Sequence, residues 1–264
     1  MQCVINCWNN HPQPVYMATQ NINDIFFKGL YKEVWRKLIP PGLSEAECDF
    51  IEQEMNIQPD ARLLDLMCGY GRHALPLARK GFRVSAIDNA PEYIEEINAK
   101  GEGLAIETQV AGLMDMHLEG QYDAAICMGN SFCFFTRKEA VHILHHLHRH
   151  LKQGAHLMIN TWMLGEIAIR HFKEKDWFYV EDYKYLVDSR YLFQPARVEA
   201  EHIIIKETGE TEVLQSVDYI FTLSEMEALL KETGFELITV YSIPKKRIFK
   251  LGDSKAYIIA QRQD

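Results

Sequence analysis

Two carboxylates and two glycines in the first third of this chain have the types and spacing of a ligand-binding turn. They are Asp65, Gly69, Gly71 and Asp88. Each aspartate ends a short apolar run, and the glycines lie just after the first of these runs. Glycines one residue apart let the backbone turn sharply and approach a ligand where a Cβ would clash. Because a helix that begins at such a turn offers free backbone N–H groups, the pattern predicts a site for a nucleoside-bearing cofactor.

The class of cofactor depends on Asp65, which precedes Gly69 by four residues. The glycines and Ala74 also fit the dinucleotide fingerprint, but a carboxylate this close to the turn repels a pyrophosphate. The same carboxylate attracts a cationic amine. S-adenosylmethionine carries such an amine, has no phosphate, and has ribose hydroxyls that can donate to Asp88. We therefore expect S-adenosylmethionine as the cofactor.

The motif itself supports this expectation. The run from Leu64 to Gly71 reads LDLMCGYG and closely resembles the first motif of the class I S-adenosylmethionine-dependent methyltransferases. This resemblance implies that Asp65, Gly69 and Gly71 bind the cofactor and that Asp88 binds its ribose. A narrower likeness is to a subgroup that methylates the nitrogen of small amines, including amino sugars.

The resemblance also implies cofactor contacts outside the glycine turn. In the family an acid after the third strand often contacts the adenine amine, but Gly112 takes that place here. We therefore expect the backbone of Leu113 or Met114 to contact the base. Met128 ends the fourth strand, where relatives touch the methionine end of the cofactor. Tyr31 is the candidate for an N-terminal tyrosine that closes over the cofactor in the subgroup.

An acceptor pocket is expected at the same edge of the sheet. Its candidate residues follow the fourth and fifth strands or lie in the β-rich segment beyond them: Asn130, Ser131, Trp162, Tyr179, Tyr183 and His202. Aromatic side chains of that segment can contact a cationic acceptor through their ring faces. No residue is assigned as a catalytic base, because an amine that arrives unprotonated needs none.

The elements that must position these residues alternate between short apolar runs and helical patterns. This alternation favours a parallel sheet with helices on both faces. We predict an α/β fold: a seven-stranded, mostly parallel, doubly wound sheet with a terminal antiparallel hairpin, an N-terminal helical cap, and an antiparallel β insertion after the fifth strand. Ser44 and Glu47 predict a capping box at the start of the second helix of the cap.

Three parts are expected along the chain. Residues 1–58 form the helical cap, and residues 59–164 together with 223–264 form the Rossmann-like, cofactor-binding domain. Residues 165–222 form the β insertion, which we expect to serve as an acceptor lid or as the face of a homodimer.

Composition limits the classes of partner and compartment. The net charge of −9 argues against nucleic acid as a partner, because binding a phosphate backbone needs a positive field. No stretch is long and apolar enough for a membrane span. The six cysteines have neither the spacing of a disulfide framework nor that of a zinc site, so we expect a reduced cytoplasm and no bound metal.

The sequence therefore predicts a methyltransferase that moves a methyl group from S-adenosylmethionine to a nitrogen or oxygen of a small soluble acceptor by in-line displacement. Two alternatives remain open at this point. One is a nicotinamide-dependent oxidoreductase, and the other is a protein that binds S-adenosylmethionine without catalysis.

Overall fold

A computed structural model describes residues 21–243 and 247–264, which form two sheets and the helices packed on them. The first sheet has eight strands within the described residues, in the spatial order β11-β10-β12-β5-β4-β1-β2-β3. Its strands are β1 (Arg62–Leu66), β2 (Arg83–Asp88), β3 (Ile106–Val110), β4 (Tyr122–Cys127), β5 (Leu151–Thr161), β10 (Phe235–Ile243), β11 (Arg247–Ile248) and β12 (Ala256–Arg262).

The first five strands of this sheet run parallel, and β12 is antiparallel to both β5 and β10. The fold class is confirmed, with one difference in strand number: the two-residue strand Arg247–Ile248 adds an eighth strand at the edge. The sequence pattern could not predict this strand, because two residues are too few to show alternation.

The second sheet is antiparallel and follows α6 (Gly165–His171). Its four strands among the described residues lie in the order β6-β7-β8-β9, and β8 and β9 form a hairpin within the predicted insertion. The strands are β6 (Lys175–Val180), β7 (Tyr183–Phe193), β8 (Ala196–Lys206) and β9 (Thr211–Tyr219).

Three of the remaining helices begin where the sequence provides a start signal. Pro91 occupies the first turn of α4, and capping boxes at Thr136 and Thr222 open α5 and α7. The helices are α1 (Gly29–Leu38), α2 (Leu43–Glu54), α3 (Ala74–Arg79), α4 (Pro91–Lys100), α5 (Arg137–His150) and α7 (Leu223–Glu232), with short 3-10 helices at Ile22–Ile25 and Ser131–Phe134.

One start signal was interpreted wrongly. Helix α2 begins at Leu43 after Gly42, so Ser44 and Glu47 do not form a capping box. The side chain of Glu47 is buried and points away from the helix terminus, toward Arg72. Tertiary contacts therefore override the local pattern at this helix.

Burial of the first sheet on both faces explains its apolar strands. Leu64 and Leu66 of β1 pack into one hydrophobic cluster and Leu63 into the other, since successive side chains of a strand point to opposite faces. The carboxyl ends of β1, β2 and β4 consequently meet at one edge of the sheet, where open α/β sheets bind ligands.

Candidate active site

A narrow cleft opens at that edge, between the ends of the parallel strands and the N-terminal residues of the described chain. Five of the predicted site residues line it: Asp65, Gly69, Asp88, Met128 and Ser131. Its volume is about 50 Å³, and side chains from α1 and from the glycine turn complete its wall. The structure thus brings the predicted acids and the glycine turn together in one cavity.

Asp65 lies at the base of this cleft and is only 1% exposed. Its Oδ2 atom has no hydrogen-bond partner among the described residues. Burial raises the pKa of the Asp65 carboxyl to about 7, although the charge of Arg72 lowers it and that of Asp88 raises it further. A buried carboxylate oxygen that faces a cavity without a partner suits a cationic amine, which would supply both a charge and a donor.

Gly69 and Gly71 have different surroundings. Both adopt a positive φ, of 55° and 79°, which favours glycine. A Cβ at Gly69 would meet no atom within 4 Å, whereas a Cβ at Gly71 would lie 2.7 Å from Cγ1 of Ile97 on α4. Gly69 lines the cleft and leaves it open, while Gly71 lets the turn pack against α4.

Asp88 fixes the glycine turn from the neighbouring strand. Its Oδ2 accepts the backbone N–H of Gly69 at 2.8 Å, and its Oδ1 accepts that of Ala90 at 3.0 Å. Burial raises the pKa of Asp88, and these two hydrogen bonds lower it. Because each carboxylate oxygen can accept a second hydrogen bond, Asp88 can still bind two ribose hydroxyls at the cleft.

Leu113 and Met114 line a second, wider pocket of about 600 Å³ beside the cleft. Leu113 is buried and Met114 is exposed. Asn89 and Met67 line both cavities, so the two are neighbours.

Two cap residues that the sequence analysis did not assign, Phe27 and Trp35, line the cleft. The predicted residue Tyr31 lies one layer behind them, with its ring 6.4 Å from that of Trp35 and 5.4 Å from that of Phe27. Tyr31 is buried against Phe26 and Tyr185. It therefore supports the cleft wall and is absent from the residues that line the cleft.

A buried ionic network behind the glycine turn also escaped the sequence analysis. Glu47 of α2 accepts hydrogen bonds from Arg72, from Nε2 of His73 at 2.9 Å and from the hydroxyl of Tyr257 at 2.6 Å. Burial raises the pKa of Glu47, but the hydrogen bond from His73 and the charges of His73 and Arg72 outweigh burial and lower it to about 2. Arg72 and His73 line the cleft, so this network holds one wall of the cofactor site.

Tyr93 contributes a second unpaired group to the cleft. It is 2% exposed, and its hydroxyl has no hydrogen-bond partner in the part of the chain that the structure describes. Lys32 lies 5.0 Å from the centre of the Tyr93 ring. The only signal for Tyr93 in the sequence is its position five residues after Asp88.

Asn130 links the end of β4 to the end of β5 and to β9 of the second sheet. Its side-chain oxygen accepts the Thr161 hydroxyl at 2.8 Å and the backbone N–H of Trp162 at 3.0 Å, and its Nδ2 donates to Oδ1 of Asp218 at 2.9 Å. The Trp162 ring lies 6.3 Å from that of Trp35. Asn130 and Trp162 thus lie between the cofactor cleft and the second sheet.

The other three predicted pocket residues lie on the second sheet. Nδ1 of His202 shares a hydrogen bond with the Tyr185 hydroxyl at 2.6 Å, its Nε2 shares one with Ser216 at 2.9 Å, and burial lowers its pKa to about 4. Tyr183 donates to Glu33 of α1. Tyr179 is 67% exposed and contacts Trp177, so the structure places it on the outer surface, away from the cleft.

The chain is similar in sequence to known methyltransferases. Residues 63–154 match the family described as Methyltransferase domain. The chain is 24% identical over 231 residues to a glycine/sarcosine/dimethylglycine N-methyltransferase from Actinopolyspora halophila, which covers 81% of this chain and 38% of that protein. It is 24% identical over 246 residues to a glycine/sarcosine N-methyltransferase from Aphanothece halophytica, covering 89% of this chain and 88% of that protein.

Coverage differs among these relatives. The chain spans between 38% and 43% of the length of three of the curated relatives that it matches. The match to the Aphanothece halophytica protein is nearly full-length on both sides.

Solved structures share the fold at low identity. An S-adenosylmethionine-dependent methyltransferase from Clostridium acetobutylicum superposes with a TM-score of 0.77 at 15% identity, covering 89% of this chain and 97% of that one. The amino pentose methyltransferase CalS10 from Micromonospora echinaspora, solved with bound S-adenosylmethionine, gives 0.65 at 21% identity, with coverage of 89% and 98%. Together with the family match, these findings confirm the predicted resemblance and fold class.

Proposed function

We propose that the chain transfers a methyl group from S-adenosylmethionine to the nitrogen of a small amine, a proposal supported by the match of residues 63–154 to the methyltransferase domain family. The observation that carries the proposal is the Asp65 carboxylate. It is buried at the base of the cleft, and its Oδ2 has no partner among the described residues. A dinucleotide would bring pyrophosphate to this carboxylate and be repelled by it.

Different residues of the two cavities bind different parts of the cofactor. Asp65 holds the cationic amine, Asp88 accepts the ribose hydroxyls, and the backbone near Leu113 and Met114 contacts the base. Bound S-adenosylmethionine supplies a methyl group that is already activated by its positively charged sulfur. The protein's task is then to exclude water and to hold the acceptor nitrogen in line with that methyl group.

The acceptor is proposed to be a small molecule with a nucleophilic nitrogen. Two lines of support are the names of the relatives, which act on glycine, sarcosine or dimethylglycine, and the aromatic residues between the cleft and the second sheet. Nitrogen is favoured over oxygen because a hydroxyl acceptor requires a general base. The one histidine predicted for the pocket, His202, has both ring nitrogens in hydrogen bonds with Tyr185 and Ser216.

The test is methyl transfer from methyl-labelled S-adenosylmethionine to a panel of small amines that includes amino acids, amino alcohols and amino sugars. We expect labelled product and S-adenosylhomocysteine to form together with at least one amine, and Asp65→Asn to reduce the rate at subsaturating cofactor. Asp60→Asn is the matched control, because Asp60 lies before β1 at the opposite end from the cleft.

Transfer to none of the amines, with S-adenosylhomocysteine still bound, would instead indicate a protein that binds the cofactor without catalysis. Binding of NAD in place of the adenosyl ligands would indicate the oxidoreductase alternative.

We also propose the three-part division into a cap of residues 1–58, a cofactor domain of 59–164 with 223–264, and an insertion of 165–222. Phe27 and Trp35 of the cap line the cleft, which supports a covering role for that part. Removal of the insertion should impair acceptor use more than cofactor affinity, and the reverse result would contradict its assignment to the acceptor.

A homodimer through the insertion remains a proposal. Trp177, Tyr179 and Val213 of the second sheet are large apolar residues that are more than half exposed, which supports a covered outer face. Sedimentation velocity should show a dimer that Trp177→Lys weakens, whereas a monomer at all concentrations would contradict it.

Nucleic acid is not favoured as a partner, because the net charge of −9 opposes its binding. A cytoplasmic location also remains a proposal, supported by free thiols at Cys48, Cys68, Cys127 and Cys133. Within residues 21–243 and 247–264, every helix is too short or too polar to cross a membrane.

A further inference from the structure

Asp218 of β9 is a carboxylate that neither the motif nor the cofactor cleft accounts for. It lies on the face of the second sheet that is turned toward the first sheet, where its Oδ1 accepts the hydrogen bond from Asn130. Ser216 lies two residues earlier on the same face of the sheet. Asn130 and Ser216 are almost fully buried, but Asp218 itself keeps part of its surface accessible. This carboxylate is therefore deep in the molecule and yet not fully covered.

The position of Asp218 connects it with the cofactor cleft. Met128, Gly129 and Ser131 line the cleft. Asn130 lies between them in the chain and donates to Asp218, so a single hydrogen-bonded residue connects the lining of the cleft with this carboxylate. On the cap side, burial and then the charge of Asp218 raise the pKa of the Tyr31 hydroxyl, which places that hydroxyl near the carboxylate. Tyr31 in turn stacks on Trp35 of the cleft wall.

Aromatic rings fill the space between the two sites. Ring centres lie 6.1 Å apart for Tyr31 and Tyr185, 6.4 Å apart for Tyr31 and Trp35, and 6.3 Å apart for Trp35 and Trp162. The charge of Asp218 raises the pKa of both the Tyr31 and the Tyr185 hydroxyl, so the carboxylate lies near two of these rings. Such a site suits an amine, whose N–H groups can donate to the carboxylate while the rings cover its apolar part.

No basic side chain among the described residues pairs with Asp218. Burial raises the pKa of its carboxyl to about 7, and the hydrogen bond from Asn130 lowers it. The nearby His202 is neutral near pH 7, because burial lowers its pKa to about 4. An acceptor carboxylate placed here would meet the ionised form of Asp218 with no cation of the described residues to pair with it, at a cost in free energy.

We propose that Asp218 binds the amino group of the acceptor, and that the acceptor is a small amine without a carboxylate beside that nitrogen. This inference rests on the proposed function and narrows it, since it favours amino alcohols and amino sugars over glycine and sarcosine. Asn130 holds Asp218 in place, and the aromatic rings cover the apolar part of the amine.

The test compares amines with matched acids on the full chain saturated with S-adenosylhomocysteine. The probes are ethanolamine against glycine and D-glucosamine against D-glucosaminic acid, with affinities measured by calorimetry or by ligand-detected NMR. We expect the wild-type protein to bind at least one amine about tenfold or more tightly than its acid, because the acid adds an unpaired charge next to Asp218.

Asp218→Asn keeps the shape of the side chain and an oxygen that can accept from Asn130. We expect it to weaken amine binding about tenfold or more and to leave the affinity for S-adenosylhomocysteine unchanged. Glu201→Gln is the matched control, because Glu201 is exposed on the outer face of the same sheet and should change neither affinity.

Acids that bind as tightly as the amines, or the failure of both amines to bind, would overturn the inference. Loss of S-adenosylhomocysteine binding together with amine binding in Asp218→Asn would also overturn it, because Asp218 would then have only a structural role. Failure of the wild-type protein to bind S-adenosylhomocysteine would instead refute the proposed function, so the two failures are distinguishable.

Discussion

The hydroxyl of Tyr257 donates a hydrogen bond to Oε1 of Glu47 at 2.6 Å, although 210 positions separate the two residues. This contact brings β12, α2 and the glycine turn together, since the same carboxylate also accepts hydrogen bonds from Arg72 and His73. All members of the network are buried or nearly so. One wall of the cleft therefore depends on a residue of α2 and on a residue of β12.

Glu47→Gln should destabilise the protein strongly. The substitution leaves the buried guanidinium of Arg72 without its counter-charge, and breaking a buried pair in this way costs about 3–5 kcal/mol. Urea unfolding measures the effect. Glu52→Gln on the same helix is the control, because its exposed pair with Lys80 contributes at most about 1 kcal/mol. A loss for Glu47→Gln no larger than that of the control would contradict the role of this network.

The same network predicts a dependence of stability on pH. Because the pKa of Glu47 is lowered from 4.5 to about 2 in the folded protein, its contribution is complete above the unfolded-state pKa. It should be lost as the pH falls from 4.5 toward 2. In urea titrations across this range, the free energy of unfolding of the wild-type protein should fall more steeply than that of Glu47→Gln. Parallel curves for the two proteins would contradict the assignment.

The cleft at the carboxyl edge of the first sheet could be predicted from the sequence because its signals are local. Asp65, Gly69 and Asp88 each follow a short apolar run, and chain order alone brings the ends of neighbouring parallel strands to one edge. The alternation of strands and helices similarly predicts the order of the first five strands.

The remainder depends on contacts between distant segments, which spacing does not show. Glu47 has the local pattern of a capping box and instead ends in the interior with Tyr257. Asp218 has the ordinary alternation of a strand residue, and only the docking of the second sheet places it against Asn130. Tyr179 and His202 belong to the same sheet. The alternation of side chains in its strands does not show which face of the sheet is covered, so the sequence could not predict that Tyr179 is exposed.

The two glycines of the turn should separate stability from cofactor binding. Gly71→Ala places a Cβ 2.7 Å from Ile97 at a φ of 79°, so left-handed strain and overpacking should together cost about 2–5 kcal/mol of stability. Gly69→Ala meets no neighbour within 4 Å and should cost about 1–2 kcal/mol, but its methyl group would occupy the cleft and lower cofactor affinity.

Urea unfolding and calorimetry with S-adenosylhomocysteine test the two substitutions side by side. Equal losses of stability, or an unchanged affinity in Gly69→Ala, would show that the turn has been placed wrongly.

Cofactor affinity should also depend on pH through Asp65. Burial raises the pKa of this carboxyl to about 7, and only the ionised form attracts a cationic amine. Affinity for S-adenosylhomocysteine should therefore rise between about pH 6 and about pH 8, by up to about tenfold per unit below the pKa. Asp65→Asn should lower this dependence. A wild-type affinity that does not change over this range would contradict the assigned contact.

The most direct measurement is calorimetric titration of wild-type protein and Asp65→Asn with S-adenosylmethionine, S-adenosylhomocysteine and NAD, on protein stripped of bound ligand. We predict that the wild-type protein binds both adenosyl ligands and does not bind NAD. We further predict that Asp65→Asn weakens binding of both by about 1.5–3 kcal/mol, the usual loss for a hydrogen bond to a charged group, while Asp60→Asn leaves it unchanged. Equal affinities in wild type and Asp65→Asn, or binding of NAD in their place, would contradict the central claim that this buried carboxylate selects S-adenosylmethionine.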